Sequence, residues 1–343
     1  MTLVSRSRGS RGARRAVALA AAGAAGLLLL TGCSSDSGGK EAEEEADDVS
    51  AGQADTPRMK VAMITHAAQG DPFWDTVREG AETAAAKDNV QLIYHGDPEV
   101  ASQANYVQNA IDQDVDGIVV SLANPDGIAN AVADAQQAGI PVVGINSGMD
   151  AWRDLDLLSF FGQDESVAGE AFGERLNEEG AEHALCVIHE QGNIGLESRC
   201  GGLAETFEGE TENLFVDGTD LPSVQSTIEA KLREDDSIDY VATLNAQFAL
   251  PAGEAAGDAG SDARVATFDL NTEMVQAIQD GEVQFAVDQQ PYLQGYLAVD
   301  ALWLFQNNGN FSGGGAEPVL TGPAFVDAEN VEEIAEFAEN GTR

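Results

Sequence analysis

The chain is short of positive charge. Its 343 residues include 17 Lys and Arg against 59 Asp and Glu, a formal net charge of −42. Nucleic acid is thereby excluded as a partner, because contact with phosphates needs a basic face. The excess of acid reads as a solvated surface. Histidine is scarce: His66, His95, His183 and His189 are too scattered to suggest a metal site, so no metal and no cofactor is expected. No G-x-S-x-G, P-loop, H-E-x-x-H or G-x-G-x-x-G occurs, which speaks against an enzyme. His189-Glu190 at a strand end is conceivable as a hydrolytic pair, but nothing else in the sequence supports it. Aromatic residues are few, 13 Phe, 5 Tyr and 3 Trp, which makes the adjacent pair Phe73-Trp74 worth a question: neighbours on a helix do not share a face.

The one long apolar run, AVALAAAGAAGLLLL, is too short to span a bilayer comfortably and follows five arginines with no acid among them. That is the form of a secretory signal, here residues 1–33. It ends in Leu30-Thr31-Gly32-Cys33, which resembles a bacterial lipobox and implies lipid attachment at Cys33. Arg14-Arg15 leaves the choice between general and twin-arginine export open. Residues 34–57 are Ser, Gly, Ala and acid, with too little apolar surface to fold, and read as an extended tether. The expected location is outside the cytoplasm, anchored to the cell membrane. Two further cysteines, Cys186 and Cys200, lie beyond the reducing cytosol, so a disulfide between them is expected.

From Arg58 onward, short apolar strands alternate with helices. Lys60–Thr65, Val90–Tyr94, Gly117–Leu122 and Ile140–Ile145 read as strands, with helices over Asp75–Lys87, Ala101–Asp112 and Ile128–Gln137. The pattern recurs with strands at Ala184–His189, Asn213–Val216, Asp239–Leu244 and Arg264–Phe268, and helices at Arg199–Phe207, Ser223–Leu232 and Leu250–Asp258. Continuous apolar strands alternating with helices imply an α/β fold with parallel sheets covered on both faces. Two such halves imply two Rossmann-like lobes. In open parallel sheets, ligands bind beyond the C-terminal strand ends, so two facing lobes make a cleft. The strand ends deliver His66, Asp71, Asn124, Asn146, Thr219, Asn245, Asp269 and Gln289, mostly carboxylates and amides, which suit vicinal hydroxyls. The plain alternative for each is turn and helix-start chemistry.

Taken together, VAMITHAAQGDPFW, DGIVVSLANPD, AGIPVVGIN, TLNAQFAL, ATFDLN and FAVDQQPYLQGY resemble the substrate receptors of bacterial ABC importers, of the type I periplasmic-binding-protein class that takes ribose, galactose or inositol. The resemblance runs from about Lys60 to the end of the sequence. It implies lobes of residues 58–163 with 290–320 and of residues 164–289 with 321–343, joined by a three-crossover hinge. It also implies a ligand set of His66, Asp71, Phe73, Trp74, Asn124, Asn146, Glu197, Thr219, Asn245, Asp269 and Gln289. Two arginines of ribose-type members are replaced, by Asn146-Ser147 and by Glu197, which implies a cleft without Arg or Lys and a neutral ligand. The expected function is capture of a neutral monosaccharide, polyol or inositol-like molecule by a monomer that delivers it to an ABC permease. The alternative is a sensor presenting a ligand such as a furanosyl signal to a membrane receptor. A repressor of the same fold would carry a basic helix-turn-helix at the N-terminus, where this chain has a signal. For Phe73-Trp74 the expectation is that at least one ring packs on the C–H face of a sugar or polyol.

Overall fold

The computed structural model describes residues 52–343. The signal, the lipobox with Cys33 and nearly all of the tether lie outside the described residues. Among the described residues no helix is long and apolar enough to cross a membrane.

Two six-stranded sheets form the framework. The first contains β1 (Met59–Thr65), β2 (Val90–Gly96), β3 (Gly117–Ser121), β4 (Val142–Asn146), β5 (Phe160–Gly162) and β11 (Val319–Leu320). The second contains β6 (His183–Ile188), β7 (Glu210–Phe215), β8 (Tyr240–Thr243), β9 (Arg264–Phe268), β10 (Phe285–Asp288) and β12 (Ala324–Asp327). The strand orders, β11-β5-β4-β3-β1-β2 and β12-β10-β9-β8-β6-β7, match position by position. All pairings are parallel except β10 with β12, which runs antiparallel. Apolar residues at alternate positions of each central strand feed a core on each face. Val61 and Met63 of β1 join one cluster, whereas Ala62 and Ile64 join another.

The chain passes between the sheets after β5, after β10 and between β11 and β12. The second passage leads into α9 (Pro291–Asn308), which returns to the first lobe and packs on α1 (Pro72–Lys87). Glycines allow this contact: a Cβ on Gly80 would lie 2.0 Å from the Tyr292 carbonyl oxygen, and one on Gly295 would lie 1.9 Å from that of Val77. The remaining helices are α2 (Val100–Asp112), α3 (Pro125–Gln137), α4 (Glu165–Glu178), α5 (Ile194–Thr206), α6 (Leu221–Glu234), α7 (Ala249–Ala259), α8 (Thr272–Asp280) and α10 (Val331–Glu339).

The helices begin one to five residues earlier than their apolar spacing suggests, and in two of them the shift matters for the cavity. Helix α1 starts at Pro72, capped by the Asp71 carboxylate, and so takes in Phe73 and Trp74. Helix α5 starts at Ile194, not Arg199, because Asn193 caps the amides of Gly195 and Leu196. Its inward residues are then Leu196, Arg199, Cys200 and Leu203, the i, i+3, i+4, i+7 stripe. Cys186 of β6 and Cys200 of α5 form a disulfide with a Cα–Cα distance of 5.9 Å.

Candidate ligand-binding site

The C-terminal strand ends of both sheets face one cavity with about 610 Å³ of empty space, part of it open to solvent. Of the residues expected from sequence, His66, Asp71, Phe73, Trp74, Asn146, Thr219, Asn245, Asp269 and Gln289 line it. Asn124 and Glu197 do not. Asn124 is exposed and caps α3, its Oδ1 accepting the Gly127 amide at 2.9 Å. Glu197 stands on the solvent face of α5, because the helix phase that turns Leu196 and Arg199 inward turns position 197 out.

The first lobe supplies an apolar wall. Pro72 at the first helical position fixes the entry of α1, and Trp74 meets Phe73 edge-on at 5.1 Å and His66 edge-on at 4.7 Å. Both rings are buried, and both touch the lobe core as well as the cavity. His66 is held from behind: its backbone N–H donates to Ser121 Oγ at 2.9 Å, and its Nδ1 lies 2.7 Å from the same oxygen. Burial pushes the pKa of His66 down, with Glu190 opposing and Arg199 assisting. A neutral ring leaves Nε2 to accept from Asn193 Nδ2 at 3.4 Å.

A chain of amides joins the lobes. Asn146 Nδ2 donates to Gln289 Oε1 at 3.1 Å, and Gln289 Nε2 donates to Asp269 Oδ1 at 2.7 Å. Ser147 Oγ donates to Asn146 Oδ1 at 3.0 Å, and Gln294 Nε2 reaches Gln289 Oε1 at 3.0 Å. Asn146 ends β4 and Asp269 follows β9, which are equivalent strands of the two sheets. Both residues are left-handed, with φ of 64° and 69°, a conformation Asn and Asp tolerate better than most residues. The same backbone turn thus delivers one amide and one carboxyl into the cavity from matching places.

The second lobe brings charge, and here the structure corrects the sequence reading. The cleft does contain a cation, Arg199, which is 3% exposed and lines the cavity. Its Nε and Nη2 bond Glu165 at 2.6 and 3.0 Å, its Nη1 donates to the Leu244 carbonyl at 2.9 Å, and it lies over the Phe268 ring at 4.5 Å. Burial works against its charge, but Glu165 outweighs it and raises the pKa. Three of the five guanidinium donors are committed there, which leaves two without a protein partner named above. The bidentate carboxylate neutralises the charge. Arg199 therefore offers hydrogen-bond donors and not a free anion site.

Burial pushes Asp269 up to about 7, with Arg199 and Gln289 pulling the other way. It pushes Asp71 up to about 6, against the Phe73 amide and Asn245 and with Glu190 adding to the rise. His189 is held down to about 3 by burial and Arg199, and its Nδ1 has no partner. His189, Glu190, Asn193, Leu196, Arg199, Gln247 and Phe248 also line the cavity, as does Ser147, and were absent from the sequence-based ligand set. The signal for three of them was the helix start at Asn193, from which positions 196 and 199 follow. The assembled groups are carboxyls, amides, a neutralised guanidinium, imidazoles and aromatic rings, with the composition of a hydroxyl-binding site.

Comparisons with known proteins agree with this geometry. Residues 61–309 match the family model described as a periplasmic binding protein domain. The xylose/arabinose-binding protein of Sulfolobus acidocaldarius is 27% identical over 275 residues, covering 73% of this chain and 66% of that protein. The ribose import binding protein of Bacillus subtilis is 25% identical over 280 residues, covering 80% of this chain and 88% of its own. Among solved structures, a carbohydrate transporter from Acidothermus cellulolyticus in complex with myo-inositol is 52% identical with a TM-score of 0.82, covering 84% of this chain and 100% of that one.

Proposed function

Because the chain belongs to the periplasmic binding protein family, whose members bind substrates for transport and are not enzymes, we propose that it captures a neutral cyclitol or monosaccharide, an inositol before an aldose, for an ABC importer. The observation that carries this reading is the cavity's combination of the Phe73–Trp74 wall with amides and carboxyls drawn from both lobes. The likeness to a protein that holds myo-inositol supports the cyclitol. An inositol bears a hydroxyl on each ring carbon and offers C–H faces to the rings. Asn146, Asn245, Asp71 and Asp269 take hydroxyls, and the two uncommitted Arg199 donors take oxygen lone pairs. Neutrality follows from the Arg199–Glu165 pair and the surrounding acids: a buried anion would find no free cation.

The protein works as a monomer, anchored outside the cytoplasm by a lipid on Cys33, and the tether spans from the membrane to the domain. Membrane fractionation checks the anchor, with Cys33→Ser expected in the soluble fraction. Thermal shift of the purified protein against myo-inositol, ribose, xylose, arabinose and a sugar acid tests the ligand. A saturating ligand at about 100 times its Kd adds ~2.7 kcal/mol. The neutral compounds are expected to shift the melt and the sugar acid is not. A melt that moves only with the sugar acid would overturn the proposal. The alternative, a sensor presenting the ligand to a membrane receptor, uses the same cavity and has no separate observation in its favour.

A further inference from the structure

The first turn of α5 sits directly against the opposite lobe. The Ile194 N–H donates to the Ala123 carbonyl, two residues past β3, at 3.1 Å. Asn193 reaches His66 Nε2, and its Oδ1 lies 3.4 Å from Ser147 Oγ. Between these contacts is Gly195. A Cβ placed there would lie 2.8 Å from Ser147 Oγ, 3.2 Å from Ser147 Cβ and 3.3 Å from Asn193 Oδ1. Rotating the Ser147 hydroxyl relieves the first of these and not the second. Ser147 cannot retreat easily either, since it follows Asn146, whose left-handed backbone and bond to Gln289 fix that strand end.

Nothing in α5 itself calls for glycine at this position. Gly195 is an ordinary helical residue in the first turn, with none of the positive φ that favours glycine, and glycine is among the poorest helix formers. The requirement comes from the facing lobe. We infer that Gly195 is the positioning residue for cleft closure: its missing side chain lets α5 seat on Ser147, and that seating carries Leu196 and Arg199 of the same helix into contact with ligand. Gly195 does not line the cavity, so it acts on binding only through the approach of the lobes. The inference rests on the ligand-capture reading above and adds to it the element that sets how far the lobes close.

The test is Gly195→Ala in the full-length protein, alone and combined with Ser147→Gly, titrated with myo-inositol by calorimetry. Overpacking at the closed contact is expected to raise Kd on the order of tenfold or more. The ligand-free melting temperature is expected to be unchanged or higher, because alanine favours the helix. Because Ser147 lines the cavity, Ser147→Gly alone serves as the reference, and in that background Gly195→Ala is expected to cost far less affinity than in the parent. Spin labels at Asn130→Cys and Ser226→Cys, one on each lobe, read the separation directly, whatever the ligand. With Gly195→Ala the short-distance population is expected to move to longer distance. Parent-like affinity together with a parent-like distance distribution overturns the inference. So does a loss of affinity that tracks a lower melting temperature, or a Gly195→Ala effect that is as large in the Ser147→Gly background as in the parent. A parent protein that ignores myo-inositol counts against the ligand assignment alone, because the label distances still decide the role of Gly195.

Discussion

The two lobes repeat one strand order, yet they hand the cavity different chemistry. The first lobe contributes Phe73, Trp74 and a neutral His66, an aromatic wall set by a proline-started helix, with Asp71 and Asn146 at its rim. The second contributes Arg199, Asp269, Glu190 and Asn193, a polar face held by an internal ion pair. A duplicated framework fixes where strand ends fall, and the loops and helix starts after them decide what each end presents. A ligand with apolar faces and hydroxyl edges needs one surface of each kind.

Several experiments test this division of labour. The largest effect is expected from Arg199→Met, which leaves the 5%-exposed Glu165 carboxylate without its partner. Breaking a buried pair costs about 3–5 kcal/mol, and denaturant unfolding should show a loss of that order. Adding Glu165→Gln should restore most of it. If the single variant is as stable as the parent, the pair does not hold the polar face together.

Next in size is Trp74→Ala, which deletes a ring shared by core and cavity. A loss of about 3 kcal/mol in stability is expected, with weaker ligand binding, whereas Trp74→Phe keeps much of both. Parent-like titration curves for the alanine variant would make the first lobe's wall purely structural.

A smaller effect concerns pH. Asp269, raised to about 7, binds its proton more tightly folded than unfolded. Its contribution is present below the unfolded value of about 3.9 and is lost as pH rises through about 7. His189, lowered to about 3, works in the opposite sense, contributing above about 6.5 and losing its contribution as pH falls. Asp269→Asn should remove the first component. The stability difference between variant and parent should therefore change between about pH 4 and pH 7 and stay flat above. A difference constant across that range would place Asp269 in an ordinary carboxylate environment.

The smallest effect is expected from Asn124→Ala, which removes a helix cap outside the cavity. About 1 kcal/mol of stability should be lost, with ligand affinity unchanged. A marked drop in affinity would return Asn124 to the site.

The fold was legible because apolar strands and helical spacing repeat along the chain, and because parallel sheets place ligands at one edge. Asp71, Asn146, Asn245 and Asp269 were legible for the same reason: each directly follows a strand or caps the next element. Asn124 satisfies that same rule, but its side chain is spent on the Gly127 amide, and position alone does not tell a cap from a ligand contact. The second lobe's α5 was read out of phase. Its cap, Asn193, follows a glycine, and further glycines come at 195, 201 and 202, so apolar spacing alone put the start five residues late. That shift put weight on Glu197 and hid Arg199. The seat of α5 on Ser147 depends on how the lobes meet, which no local pattern encodes.

The bridge between Cys186 and Cys200 gives the binding face a dependence on where the protein is made. It ties α5 to β6 at the residue next to Arg199. A preparation folded in a reducing compartment would keep both sheets and most of the core while releasing one anchor of the helix that presents Asn193, Leu196 and Arg199. Material from cytoplasmic and exported expression can then look alike by circular dichroism and still differ in active fraction. A thiol titration belongs beside every affinity measured on this protein.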